Sequence, residues 1–116
     1  MRILSLSTDE ELNRLRQFAL HYFGHSVTLI NNEKEAIAAA ESREEYDVIL
    51  LCHKMPSSAG RTIVRILRQK GSTAKLVYIS HLYGEWPDVE ADRYIVGADG
   101  PEALNRMLEE LATTAV

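Results

Sequence analysis

A regular alternation of short apolar segments with amphipathic ones constrains the fold of this chain more than any other feature. Five segments have the length and composition of strands: Arg2–Leu6, Ser26–Ile30, Asp47–Cys52, Lys75–Ser80 and Arg93–Val96. In the third of them the run from Val48 to Cys52 is apolar without interruption, which indicates burial on both faces. Strands that alternate with helices predict an α/β protein with a doubly wound parallel sheet and helices on both faces.

Local signals mark where the intervening helices begin and end. Thr8 and Glu11 form a capping-box pattern, and Gly24 stands where a left-handed helix end is common. The helix between them carries an apolar stripe: Leu12, Leu15, Phe18, Ala19 and Tyr22. Further helices are predicted at 33–41, near 59–70 and from Gly100-Pro101 onward. Only twelve residues separate Ser80 from Arg93, which leaves room for at most a short, irregular helix.

Length and composition narrow the class of protein. A chain of 116 residues without a linker-like stretch predicts one domain over 1–116. The net charge of −4 argues against nucleic acid as a partner of this domain. One cysteine, Cys52, cannot form an internal disulfide, which excludes a disulfide-built secreted scaffold. The apolar runs are too short for a membrane span or a signal peptide, so we expect a cytoplasmic protein with no membrane partner.

Two segments carry a family resemblance. The run from Tyr46 to Pro56 places Pro56 four residues after Cys52, and Gly60 follows eight residues after Cys52. The second segment is 91–96, followed by Pro101 and Glu102. On these residues the chain resembles the receiver domain of bacterial response regulators over essentially its whole length. The resemblance implies a flavodoxin-like sheet with strand order 2-1-3-4-5.

The resemblance also implies where a phosphorylation site would lie. A receiver keeps an acidic pair for Mg²⁺, an acceptor aspartate, a hydroxyl residue and a lysine at five positions. The matching residues here are Ser7 and Thr8, then Cys52, Ser80 and Gly97, so only the hydroxyl is retained. Without carboxylate ligands or a cation, phosphoryl transfer lacks its electrostatic partners. We therefore expect a degenerate pseudo-receiver that is not an enzyme and binds no metal or cofactor.

Neighbouring carboxylates are poor substitutes for the missing acids. Asp47 begins its strand, about 16 Å from Cys52 at ~3.3 Å per residue, and so belongs to the opposite edge of the sheet. Asp9 and Asp99 lie in loops on the correct edge, where helix capping and solvation account for them more simply than a shared cation.

Several other residues have two interpretations. Ser80 and Tyr94 match the receiver switch pair, although packing also explains both. Tyr83 and Trp86 replace part of a helix and form a candidate partner surface, unless Trp86 fills the vacated volume. Arg61, Arg65 and Arg68 recur at helical spacing, which suits an acidic partner or a solvated face.

These observations support two classes of function. The first is a signalling module that contacts a protein, either another signalling protein or its own output domain, independently of phosphorylation. A homodimer through the altered face is left open. The alternative is a thiol-based redox sensor or a ligand-binding module that uses Cys52, with His81 as its neighbour. Unorthodox phosphorylation at the same edge is a third option.

Overall fold

A computed structural model describes residues 1–42, 45–52, 57–80 and 91–114 of the chain. The strands are β1 (Arg2–Leu6), β2 (Ser26–Ile30), β3 (Val48–Cys52), β4 (Lys75–Ser80) and β5 (Arg93–Val96). The helices are α1 (Glu10–Tyr22), α2 (Glu33–Glu41), α3 (Ser57–Gln69) and α4 (Gly100–Thr114), with a 3₁₀ turn at Gly97–Asp99. The predicted irregular helix before β5 falls on 81–90, outside the described residues.

All five strands are parallel, and their order across the sheet is β2-β1-β3-β4-β5. The predicted α/β class, the parallel sheet and the strand order are therefore confirmed. Alternate residues of each strand point to opposite sides of the sheet, and helices cover both sides. Leu4 and Leu6 of β1 pack with side chains of α2 and α3, whereas Ile3 packs with side chains of α1 and α4.

The central strand is buried on both faces, as its composition predicts. Every residue of β3 is at most 2% exposed, and Cys52 at its end is 0% exposed. Ile49 and Leu51 belong to the apolar cluster under α2 and α3, while Val48 and Leu50 belong to the cluster under α1 and α4. Removal of each such side chain from water contributes roughly 1.5–3 kcal/mol, so β3 is the main anchor of the sheet.

The spacing of apolar residues in α1 suggests that its apolar stripe faces the sheet, but the helix lies with part of that stripe on the surface. Its buried residues are Asn13 and Leu20, seven positions apart on one face. Leu15, Phe18 and Tyr22 are 63%, 78% and 82% exposed. With 3.6 residues per turn these three lie nearly half a turn away from Asn13. The exposed stripe of α1, as we call Leu15, Phe18 and Tyr22, is therefore a surface feature and not part of the core.

Gly60 lets α3 approach the sheet closely. A Cβ atom at this position would lie 2.6 Å from Cδ2 of Leu51, whose side chain is 1% exposed. Real side chains do not tolerate this separation, so any larger residue must displace Leu51 or the first turn of α3. The glycine eight residues after Cys52 thus has a packing reason, independent of any chemistry at the site.

We expect Gly60→Val to lower the free energy of unfolding by about 1–3 kcal/mol, because it overpacks the contact with Leu51. Urea denaturation followed by circular dichroism measures the change. Gly71→Val serves as a contrasting control, since nothing lies within 4 Å of a Cβ there and its cost comes from a φ of +83°. The double variant Gly60→Val/Leu51→Ala should be more stable than Leu51→Ala alone, because the valine fills space that the leucine side chain vacates. Absence of that recovery would contradict the packing explanation.

Aspartates hold the strands together at the amino-terminal edge of the sheet. Oδ2 of Asp47 accepts a hydrogen bond from the Arg2 amide at 2.7 Å. Oδ2 of Asp92 accepts one from the Leu76 amide, also at 2.7 Å. Asp47 therefore has a structural partner at the edge opposite Cys52, as the strand length predicts, and it is not a substitute for a missing acid at the site.

Candidate functional site

The carboxyl-terminal edge of the sheet gathers the residues that the resemblance singled out. Leu6 of β1 pairs with Leu51 of β3. Ser7 and Cys52 are the next residues along the two strands and are therefore side by side. Cys52 pairs with Ile79, and Ser80 pairs with Val96, which places Gly97 one residue beyond Ser80. Parallel strands end at the same edge, where open α/β sheets bind their ligands. The predicted positions are thus neighbours in the fold.

Ser7 and Asp9 serve the local structure of the loop before α1. Ser7 is 0% exposed, and its hydroxyl accepts a hydrogen bond from the Asp9 amide at 3.2 Å. The Asp9 carboxylate caps α1 by accepting from the Leu12 amide at 3.0 Å. Thr8 between them is exposed. In this loop the Asp9 carboxylate is therefore engaged in capping α1, and the Ser7 hydroxyl is engaged by the Asp9 amide.

Asn13 fastens this loop to the sheet, and the sequence patterns did not point to it. Its side chain is 0% exposed. Oδ1 accepts a hydrogen bond from the Ser5 hydroxyl at 2.6 Å. Nδ2 lies 3.1 Å from the Ser5 carbonyl, 3.3 Å from the Ile30 carbonyl and 3.1 Å from Oδ1 of Asn31. One amide thus connects α1 with β1 and with the end of β2. The signal that was available is Ser5, a polar residue inside an otherwise apolar strand.

Cys52 lies at the end of β3 with 0% of its surface exposed. A reactive thiol needs partial exposure in an electropositive setting. Burial of this degree favours a small packed side chain over a sensor. His53 and His81, its neighbours in sequence and in the proposed pair, lie outside the described residues.

Ser80 and Tyr94 occupy neighbouring strands. Ser80 is 1% exposed, whereas Tyr94 is 39% exposed. The Tyr94 hydroxyl accepts a hydrogen bond from the Ala91 amide at 2.9 Å. Its ring centroid lies 6.4 Å from that of Tyr78, which is the residue paired with it in β4. In this arrangement Tyr94 points outward at the edge strand and helps to shape the turn that leads into β5.

Gly97 is exposed and has no special backbone conformation. A Cβ atom there would meet Cγ2 of Ile79 at 3.6 Å and the Ser80 carbonyl oxygen at 3.7 Å, which are ordinary contacts. The fold therefore does not require glycine at the position where a receiver has its lysine. Asp99, at the end of the 3₁₀ turn, is exposed.

Within the described ranges, the acidic, histidine and cysteine side chains form no group of three that could hold a metal ion. Tyr83 and Trp86, the candidate partner surface, lie outside those ranges.

Of the three arginines on α3, Arg68 donates to the Ser72 and Ala74 carbonyls, both at 2.9 Å, and so closes the turn after the helix. Arg61 and Arg65 are exposed. Among the helices of the described part, none is both long and apolar enough to cross a bilayer.

Comparisons with known proteins find sequence relatives for about two thirds of the chain. It is 31% identical over 78 residues to the uncharacterized transcriptional regulatory protein YkoG of Bacillus subtilis. It is 29% identical over 79 residues to the transcriptional regulatory protein PcoR of Escherichia coli. These matches cover 67% and 68% of this chain, and 34% of each relative. The matched segment thus spans about a third of the length of these curated relatives. No family model matches the chain.

Solved structures resemble the chain over nearly its whole length. The response regulator TrrA of Thermotoga maritima, in complex with Mg(2+)-BeF, aligns with a TM-score of 0.79 at 24% identity. That alignment covers 95% of this chain and 97% of TrrA. The receiver domain of the Francisella response regulator 1452 aligns with a TM-score of 0.80 at 20% identity, covering 99% and 98%. The chain therefore has the fold of a response-regulator receiver domain, and the resemblance seen in its sequence is confirmed.

Proposed function

We propose that this chain is a receiver-type module of two-component signalling that acts through a protein partner without being phosphorylated. The observation that carries the proposal is Cys52, a fully buried thiol at the position that the resemblance assigns to the acceptor aspartate. A receiver fold with this substitution keeps a framework for protein contacts and lacks the group that accepts the phosphoryl.

The surroundings of Cys52 support the same proposal. Mg²⁺ prefers several oxygen ligands, usually carboxylates, and at this edge Ser7 supplies a neutral hydroxyl that already accepts from Asp9. Phosphoryl transfer depends on cations that neutralise developing charge, and Gly97 provides none. Ser7, Thr8, Cys52 and Gly97 are therefore degenerate positions, while Ser80 remains as a hydroxyl without its usual trigger.

The proposed partner is a protein, either a separate signalling protein or an output domain joined to this one. The relatives of known name are transcriptional regulatory proteins about three times as long as the matched segment, which suits an attached output domain. The net charge of −4 makes nucleic acid a poor partner for the receiver portion alone. We place the module in the cytoplasm, with Tyr83 and Trp86 as the candidate contact residues and a homodimer as a further arrangement.

An NMR titration with Mg²⁺ and beryllofluoride tests the proposal. We expect no saturable shifts at the amides of Ser7, Cys52 and Ser80, because none of the residues at the acidic-pair and acceptor positions carries a carboxylate. TrrA of Thermotoga maritima, whose structure holds Mg(2+)-BeF, is the positive control in the same buffer. Saturable shifts around Cys52 in this chain at concentrations that saturate TrrA would overturn the pseudo-receiver proposal.

A further inference from the structure

The exposed stripe of α1 is an apolar surface on the side of the helix that faces away from the sheet. Among the described residues four large apolar side chains are exposed, and Leu15, Phe18 and Tyr22 are three of them. Residues three and four apart are neighbours on a helix surface, so these side chains form one continuous patch. Their exposed fractions correspond to roughly 400 Å² of apolar surface, and a patch of that size is often functional.

The order of residues along this face makes it self-complementary. Glu11 is exposed one turn before Leu15, so the face consists, with spacings of four, three and four, of Glu11, Leu15, Phe18 and Tyr22. Because this spacing reads the same in both directions, a two-fold axis between Leu15 and Phe18 pairs every member in two antiparallel helices. Each Leu15 then packs against Phe18 of the second copy, and each Glu11 carboxylate can accept from a Tyr22 hydroxyl. An isologous interface requires such a self-complementary patch.

Charge favours the antiparallel pair over a parallel one. The first turn of α1 carries Glu10 and Glu11, and its last turn carries His21. Antiparallel packing puts the acidic turn of one copy beside the last turn of the other, and it also aligns the two helix dipoles favourably. Parallel packing would place Glu11 beside Glu11 of the second copy, where like charges repel.

The area of the stripe is close to what a specific contact between two copies needs. Two stripes offer roughly 800 Å² together, against about 1,000 Å² for a small specific interface. Glu11, Arg14 and His21 border the stripe and are exposed, so they add to the buried area. Tyr22 packs edge-on against Phe23, with ring centroids 5.5 Å apart, which limits the side-chain freedom that association removes.

We propose that α1 is the interface of a weak symmetric dimer, in which the exposed stripe packs antiparallel against the stripe of a second copy of the chain. This surface contains none of the degenerate phosphorylation positions and neither residue of the candidate pair, Tyr83 and Trp86. The dimer therefore forms without a phosphoryl group, and it does not depend on the function proposed above. Any output domain attached to the chain is brought into a pair by the same contact.

Sedimentation velocity of the full chain between about 5 and 500 µM tests the proposal. We expect a reversible, concentration-dependent dimer of the unmodified chain. Leu15→Lys and Phe18→Glu should each weaken self-association at least about tenfold, because each homodimer places two like charges beside the two-fold axis. An equimolar mixture of the two variants should associate within about threefold of the original affinity, since the introduced lysine then faces the introduced glutamate.

Matched controls change the charge on α2 instead of α1. Glu33→Gln and Lys34→Gln alter the net charge by the same +1 and −1 at exposed positions, and both should leave the dimer unchanged. Circular dichroism checks the fold, which should persist because each α1 substitution replaces an exposed side chain. A chain that stays monomeric at every concentration would overturn the proposal and leave the stripe to a different protein. A dimer that survives both substitutions, or a mixture that stays monomeric, also overturns it.

Discussion

Replacement of Asn13 by leucine is expected to lower the free energy of unfolding by about 2–4 kcal/mol, a large fraction of the stability of a small domain. Leucine approximately preserves the volume of the side chain but removes the amide that connects α1 with β1 and β2. The Ser5 hydroxyl loses its acceptor in a place closed to water, whereas the Ile30 carbonyl loses one donor and keeps the Ser7 amide as the other. An unsatisfied buried polar group costs about 1–3 kcal/mol.

Urea denaturation with an unchanged m-value measures this loss. Gln17→Leu is the matched control, since Gln17 makes one half-buried hydrogen bond from the same helix, to the Val27 carbonyl at 3.0 Å. We expect it to cost less than about 1 kcal/mol. Combining Asn13→Leu with Ser5→Ala should recover part of the loss, because both partners of one bond are then removed. A cost no greater than that of Gln17→Leu would show that the Asn13 hydrogen bonds do not anchor α1.

Alkylation of Cys52 by iodoacetamide is expected to be at least about a thousandfold slower in the folded protein than in the urea-unfolded chain. The thiol is 0% exposed at the end of the central strand, so the reagent reaches it only when β3 opens. Opening of a core strand costs a free energy close to that of global unfolding, about 5 kcal/mol or more. Mass spectrometry of quenched samples gives the two rates.

The control for this measurement is Thr8→Cys in a Cys52→Ala background. It carries a thiol at the same edge of the sheet on an exposed residue, and we expect it to react within about tenfold of the unfolded chain. If folded Cys52 reacts as fast as this control, the thiol is accessible and the redox-sensor hypothesis returns. Slow reaction removes that hypothesis and leaves the protein-contact proposal untouched.

Much of the framework was predictable because local sequence and global topology agree. The predicted bounds of β2, β4 and β5 coincide with the observed ones, since each is a short apolar run bounded by turn residues. Placement of Ser7, Cys52 and Ser80 at one edge followed from the parallel order alone, because parallel strands end on the same side. The packing of Gly60 against Leu51 explains one residue of the family pattern without reference to chemistry.

The orientation of α1 was not predictable from residue patterns. Apolar spacing identifies a stripe but does not say whether that stripe faces the sheet. In α1 the face that carries Asn13 lies against the sheet, where Asn13 forms hydrogen bonds with Ser5 and Ile30. A periodicity argument places polar residues outside, so it misses a buried amide whose hydrogen bonds are satisfied.

The contacts around Gly97 and Ser7 determine which side chains this edge of the sheet can accept. A cationic side chain can be introduced there without rebuilding β5, since a Cβ meets its neighbours at 3.6 and 3.7 Å. Ser7 is different, because its hydroxyl is buried and receives the Asp9 amide. A long cationic side chain is therefore sterically accommodated at Gly97, whereas a carboxylate at Ser7 would have to displace a buried hydroxyl and its hydrogen bond.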